Sequence, residues 1–426
     1  MKVMKTLNYI IFLLLLFCVP AAAEAASSLQ AKIDAAPNGS KIEIEEGKYE
    51  EKIVISKPLF LVGTGKVTLY SCDGGPVITI SGKAVRLKNI EVEHCGNEKE
   101  DAAVYVTGSN HTLEELEIKT NRFGIRLNQA DGVTIRNSKI VGSNTGNGID
   151  LWQSNRSHIE KLMISNMTDG IYLEQSNRNS LKRNNIQHSR YGIHLMFSNG
   201  NVLEKNVSRD NTTGAMVMGS KQNVVSNNKF LFNHNNVNAQ GLLIYTASYN
   251  EIKGNDIISN RVGVYAERSE NNRIESNKIM NNFIGIQFKK ANKNEATQNT
   301  FIGNVNDAHA IESPHNQINE NYWDASSKVD MNGDGKSEIS FAADPYFQTL
   351  TNDVPEYQLF FHAPGLIVIQ NLLKSPVDQL LTDTAPLMDM TSEMEKEVSS
   401  NSSLWIMSAC MIASSFILYL LGRRRG

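Results

Sequence analysis

From residue 124 onward the chain repeats one short phrase, a glycine followed by an apolar, a variable and a second apolar residue. The phrases open at Gly124, Gly148, Gly170, Gly192, Gly214, Gly241, Gly263 and Gly285; five of the seven steps are 22 residues, one is 24 and one is 27. A fixed period in this range marks a solenoid. Within a phrase the apolar residues alternate with others, as Ile193 and Leu195 do with His194 and Met196. That is the period of a strand with one buried face and not of a helix. Stacked in register, such units give parallel strands about 4.8 Å apart around a narrow apolar core, and no unit could bury its apolar face alone. Parallel strands joined by crossovers turn right-handed. The pattern therefore predicts an all-β right-handed parallel β-helix, a solenoid of about 22-residue coils.

A second ladder keeps the same register. Asn184, Asn206, Asn228, Asn255, Asn277, Asn299 and Asn321 recur at the same steps, including the step of 27. Asparagine tolerates the left-handed turn conformation, and its amides can bond to one another along a stack, so these residues read as structural. Residues 29–49 read as a short helix, a turn and a first strand, the N-terminal cap that an open solenoid end needs against edge pairing.

The two ends differ in character from the body. Lys2 and Lys5 precede an apolar run from Tyr9 to Pro20 and the small residues Ala21 to Ala25, the pattern of a secretory signal over residues 1–25. Leu404 to Leu421 is apolar and is followed by Arg423, Arg424 and Arg425, which predicts a single C-terminal transmembrane helix at 404–421 with a basic cytoplasmic tail at 422–426. The β-helix is then assigned to 26–345 and a C-terminal extension to 346–403. The expected protein is exported and tethered to the outer face of the cell membrane. A net charge of -3 with no basic stripe gives no reason to expect a nucleic-acid partner.

Because coils stack in register, residues one repeat apart are neighbours, and outward positions form columns. One column runs Arg126, Asp150, Tyr172, His194, Met216, Leu243, Tyr265, Gln287; the next runs Asn128, Trp152, Glu174, Met196, Met218, Tyr245, Glu267, Lys289. His194, Met196, Met216 and Met218 fall on a square of adjacent cells. One imidazole and three thioethers are a soft donor set that suits Cu(I). The 27-residue step follows directly, and His234 in its inserted turn is placed to complete or gate such a site, since solenoid insertions often mark the working face.

Cys72 and Cys95, the two cysteines of the expected mature ectodomain, occupy equivalent places on adjacent coils. They read either as a disulfide or, with His94, as a thiolate copper site. The stretch Asp330 to Gly335 resembles the opening of a calcium loop, but Phe341 stands at the twelfth position where a bidentate glutamate belongs. A turn built from Asn, Gly and Asp is the simpler account there.

The cap, the coils, the segments Arg190–Asn199 and Gly214–Ser220, the stretch Asn321–Asp324 with Asp330–Gly335, and the tail Phe360–Leu387 together resemble the NosD family. That resemblance implies an extracytoplasmic accessory protein in the maturation of the copper-sulfide centre of nitrous oxide reductase. It also implies a partnership with an ABC permease and its cytoplasmic ATPase, and delivery of copper by a small lipoprotein chaperone. Carried over by motif, His194, Met196, Met216 and Met218 handle the copper, and Tyr357–Leu387 docks on the permease. The sequence departs from the soluble family members in having its own membrane span, and in Leu195 and Phe197 where more tyrosine is expected.

The rival class is a carbohydrate-active β-helix, a lyase, epimerase, hydrolase or sugar-binding protein. Asp150 and Glu174 stand outward near Trp152 and Tyr172, yet they are diagonal neighbours with no third acid beside them, whereas such enzymes work with clustered carboxylates. A purely structural or adhesive solenoid needs no site at all. No phosphate-binding loop or nucleophile constellation is present, so turnover is expected of partners and not of this chain.

Overall fold

A computed structural model describes residues 28–343 and 380–390 of the chain. Each coil of the body contributes three strands, as in Ser180–Lys182, Asn185–Gln187 and Tyr191–Met196. Equivalent strands of successive coils pair in parallel, giving a right-handed-type β-solenoid of about 13 turns in which one sheet holds 12 strands, one from each of 12 successive coils. Toward the N-terminus the two short strands fuse into the nine-residue strands Arg86–His94 and Thr112–Thr120. Each of these bends at a left-handed residue, Asn89 or Glu115.

The alternation read from the sequence is what fills the interior. Ile171, Ile193, Ala215, Leu242 and Val264 stack coil on coil, with Leu173, Leu195, Val217, Ile244 and Ala266 beside them, all essentially without solvent contact. Burying side chains of this size stabilises by about 1.5–3 kcal/mol each, before the chain entropy that opposes it. The repeating glycine answers a packing demand and not a turn. A Cβ at Gly192 would collide with the Ser208 hydroxyl and the Gly214 carbonyl, so the corner closes only around hydrogen.

The asparagine ladder is present, with one difference from expectation. The left-handed conformation belongs to the residue before each ladder asparagine, such as Arg183, Lys205 and Gln298 at φ 55°, 56° and 56°. The asparagines themselves are buried, with side chains turned inward. Asn206, for example, donates both its backbone N–H and its Nδ2 to Asn228 Oδ1, each at 2.9 Å. Two further ladders run alongside, from Asn179 to Asn316 and from Asn211 to Asn304. Turn amides that a tight corner strips of ladder partners are met in this way by the next coil.

Both solenoid ends are closed. In helix α1 (Leu29–Ala35) the buried side chains of Leu29 and Ile33 cover the first coil. Gln30 acts as a short strand substitute: Val54 N–H donates to its Oε1 at 2.7 Å and its Nε2 donates to the Val54 carbonyl at 3.1 Å. At the other end, residues 380–390, which sequence analysis placed in the docking extension, pack on the last coil. Leu381–Asp383 pairs antiparallel with Phe341–Ala343. The fully buried Asp383 carboxylate ends the asparagine ladder, accepting from Asn321 N–H and Trp323 Nε1–H, each at 2.9 Å.

Among the described residues no helix is long and apolar enough to cross a membrane. The expected signal at 1–25, the span at 404–421, the tail at 422–426 and the rest of the extension at 346–403 lie outside the described residues.

Candidate functional site

The columns are realised as the spacing requires. Asp150, Tyr172, His194, Met216 and Leu243 are register partners on successive strands, and Trp152, Glu174, Met196, Met218 and Tyr245 form the column beside them. His194, Met196, Met216 and Met218 therefore occupy four adjoining positions on the outer face of the 12-stranded sheet, two on Tyr191–Met196 and two on Thr213–Met218. His194 and Met216 are buried; Met196 and Met218 keep partial solvent contact.

The His194 ring is held from several sides. Tyr172 and Tyr191 present their rings to it edge-on, with centroids 5.0 and 4.8 Å away. Its Nδ1 lies 2.9 Å from Oδ2 of Asp169, a carboxylate only 1 % exposed. The other oxygen of Asp169 accepts from Arg190 Nε and Nη2 at 3.1 and 2.9 Å. A carboxylate paired with a guanidinium is ionised and can only accept, so Nδ1 carries the proton. In the neutral ring the lone pair is then on Nε2, which is buried and has no hydrogen-bond partner among the described residues. Leaving a buried polar atom unmatched costs about 1–3 kcal/mol, so such an atom asks for a ligand. A carboxylate–imidazole pair with the far nitrogen free is the arrangement that orients a metal-binding histidine.

Asp169 was not among the residues singled out from the sequence. Its own column reads Asn147, Asp169, Tyr191, Thr213, Gln240, in which no chemistry recurs, and its contact crosses from one coil to the next. The one available signal was Arg190, whose guanidinium pairs with Asp169 from the adjoining coil.

Met196 carries a contact of its own. The Tyr172 hydroxyl lies 3.2 Å from its sulfur and 3.0 Å from Glu174 Oε2. Burial, reinforced by the Glu174 carboxylate, raises the Tyr172 phenol above its ordinary range, so it keeps its proton at neutral pH.

The remaining sequence candidates part company from this group. His234 is exposed, and it lines a groove of about 430 Å³ with Ser259, Arg261, Phe283, Gly303 and Val305, none of them in the two columns. The inserted turn stands at the corner before Gln240–Tyr245 and leans along the later coils, so His234 does not complete the square. Cys72 and Cys95 form a disulfide with their Cα atoms 4.5 Å apart. Sulfurs bonded to each other offer no thiolate to a metal, and the pairing replaces the alternative copper site. A crosslink closing a loop of this length contributes about 3 kcal/mol to stability. At the Asp330 turn the carboxylate accepts from the Gly333 and Gly335 N–H groups at 2.7 and 2.9 Å, and Phe341 stacks on Trp323 with centroids 4.7 Å apart.

The acids of the carbohydrate alternative are engaged locally. Burial pushes the Asp150 carboxyl up to about 6, and it accepts from Asn147 Nδ2 at 2.8 Å. Glu174 is taken by Tyr172. Among the described residues no group of three or more His, Cys, Asp or Glu side chains is placed to hold a metal ion.

Among solved structures, the A-module of mannuronan C-5 epimerase AlgE4 from Azotobacter vinelandii aligns at a TM-score of 0.52 and 16% identity, over 68% of this chain and 89% of that one. The AlgE6 A-module from the same organism aligns at 0.50 and 16%, over 68% and 93%. At that identity the likeness concerns the fold alone. Comparison with curated proteins gives no match. The model of the family described as periplasmic copper-binding protein (NosD) matches residues 76–189 and 143–337, together more than half of the chain. The coils that carry the His194 face lie inside that match, and the chain belongs to the NosD family.

Proposed function

We propose that the protein is an extracytoplasmic copper-handling accessory protein that holds Cu(I) as cargo on the His194 face. His194 Nε2 supplies the nitrogen, and Met216, Met218 and Met196 supply thioether sulfur. The observation that carries this reading is the buried, unpartnered Nε2, with its tautomer set by Asp169, on a strand whose register partners are methionines. Thioether and imidazole favour a soft monovalent ion and offer little to calcium or magnesium, which take oxygen. The family description, periplasmic and copper-binding, agrees in compartment and in metal.

On this reading the chain has no catalytic constellation of its own. It receives copper from a lipoprotein chaperone and works beside an ABC permease driven by a cytoplasmic ATPase. It serves the maturation of the copper-sulfide centre of nitrous oxide reductase, and the helix proposed at 404–421 keeps it at the membrane. Sugar processing rests on fold likeness alone, and the acids it needs are already paired.

Titration of Cu(I) into the full chain against a coloured Cu(I) chelator tests the proposal. One tightly held ion per chain is expected, and a chain that takes up none contradicts it. Asp169→Asn, which removes the charge that fixes the imidazole, lowers the Cu(I) affinity about 10–100-fold with the fold retained. Unchanged affinity in that variant would show that the ring's orientation does not matter to the metal.

A further inference from the structure

We infer that Tyr172 and Glu174 set the donor strength of Met196, so that Glu174 keeps this sulfur open to Cu(I) by holding the phenol's proton; the inference rests on the copper reading above. The phenol has one proton and two acceptors within reach, Glu174 Oε2 at 3.0 Å and Met196 Sδ at 3.2 Å. The two choices are not equivalent for a metal. If the O–H points to sulfur, it occupies thioether lone-pair density and sets a partial positive charge against a sulfur that must donate to a cation. If it points to Glu174, the oxygen lone pairs face the sulfur instead and complement the positive charge that sulfur acquires on binding. A carboxylate is the stronger acceptor, since a hydrogen bond to a charged group is roughly twice as strong as a neutral one.

The solenoid contains its own control. Tyr265 and Glu267 repeat the same pair on the strand Val262–Glu267, with the hydroxyl 3.0 Å from Glu267 Oε2. The residue in register with Glu267 on the next coil is Lys289, where Met196 stands next to Glu174. The tyrosine–glutamate bond is thus a recurrent feature of this face, and the sulfur partner is what distinguishes the 172–174 copy. Both copies lie on the outer face, so neither pair is required by the core.

The test is a double-mutant cycle on the full chain, read by competition of Cu(I) with a coloured chelator. Glu174→Leu removes the competing acceptor, leaves sulfur to take the O–H, and lowers affinity about fivefold, the equivalent of one ordinary hydrogen bond. In the Tyr172→Phe background, which has no O–H to redirect, Glu174→Leu costs nothing more. Tyr265→Phe and Glu267→Leu change nothing. Methyl NMR of Met196 in the metal-free chain reads the same proton directly: the shift that Glu174→Leu causes with Tyr at 172 is absent when Tyr172 is also Phe.

Two outcomes overturn the inference while leaving the copper reading intact. In one, Cu(I) binding depends on His194 yet is the same in Glu174→Leu. In the other, Glu174→Leu costs as much with Phe at 172 as with Tyr, so that Glu174 acts by charge alone. A wild-type chain that binds no Cu(I) overturns both.

Discussion

Replacing Met216 and Met218 together by leucine lowers the affinity for Cu(I) about 100-fold or more and leaves the coils folded. The size of the effect follows from ligand loss: two of four soft donors go, and 100-fold corresponds to about 2.7 kcal/mol. Retention of the fold follows from where the side chains sit. Both lie on the outer face of the sheet, while Ala215 and Val217 of the same strand form the core. Met to Leu conserves volume and usually costs less than about 1.5 kcal/mol. His194→Ala should fall at least as far, because it also removes the only nitrogen donor and leaves Asp169 paired with Arg190 alone. Competition titration measures the affinity, and thermal melting by circular dichroism confirms the fold. Wild-type affinity in the double methionine variant would place the copper somewhere else on the molecule.

The largest expected effect on stability lies in the asparagine ladder and not in the apolar core. Asn228→Ala should destabilise the central coils by about 4 kcal/mol. Asn228 Oδ1 accepts two bonds from Asn206, and Asn228 Nδ2 donates to the Leu203 carbonyl at 2.9 Å and to Asn255 Oδ1 at 3.0 Å. All of these groups are sealed from water. Alanine fills none of the roles, and the Asn206 N–H is left without a partner, a loss of about 1–3 kcal/mol by itself. Hydrogen exchange should locate the damage, with protection falling first in the coils on either side of residue 228, as expected where each repeat contacts only its neighbours. An exposed asparagine such as Asn235, in the inserted turn, should tolerate the same change within about 0.5 kcal/mol.

How much was legible in the sequence depends on whether a residue belonged to the repeat. The strand period, the core positions and the two outward columns follow from residue spacing alone, and register pairing reproduces them residue by residue. The asparagine ladder was half readable: spacing revealed the stack, but assigning the left-handed turn to the asparagines missed that Arg183, Lys205 and Gln298 carry it. A polar side chain turned inward and one turned outward have the same period, so spacing cannot separate them.

Residues that act once were hidden. Asp169 shares no chemistry with its column. Asp383 lies 60 residues beyond the Trp323 indole that it accepts from, and no pattern connects the two. His234 was readable as an insertion but not in direction, because the path of a turn is set by packing against coils that follow it. The cysteine pair was readable in position, and geometry decided between its two chemistries.

The central claim is that donors from two neighbouring strands meet on one copper ion. X-ray absorption at the copper K-edge of the Cu(I)-loaded full chain addresses it most directly. The account predicts a first shell of one imidazole nitrogen with two or three thioether sulfurs, losing sulfur in the Met216→Leu, Met218→Leu variant and nitrogen in His194→Ala. A shell of nitrogen and oxygen only, or one that both variants leave unchanged, would contradict it.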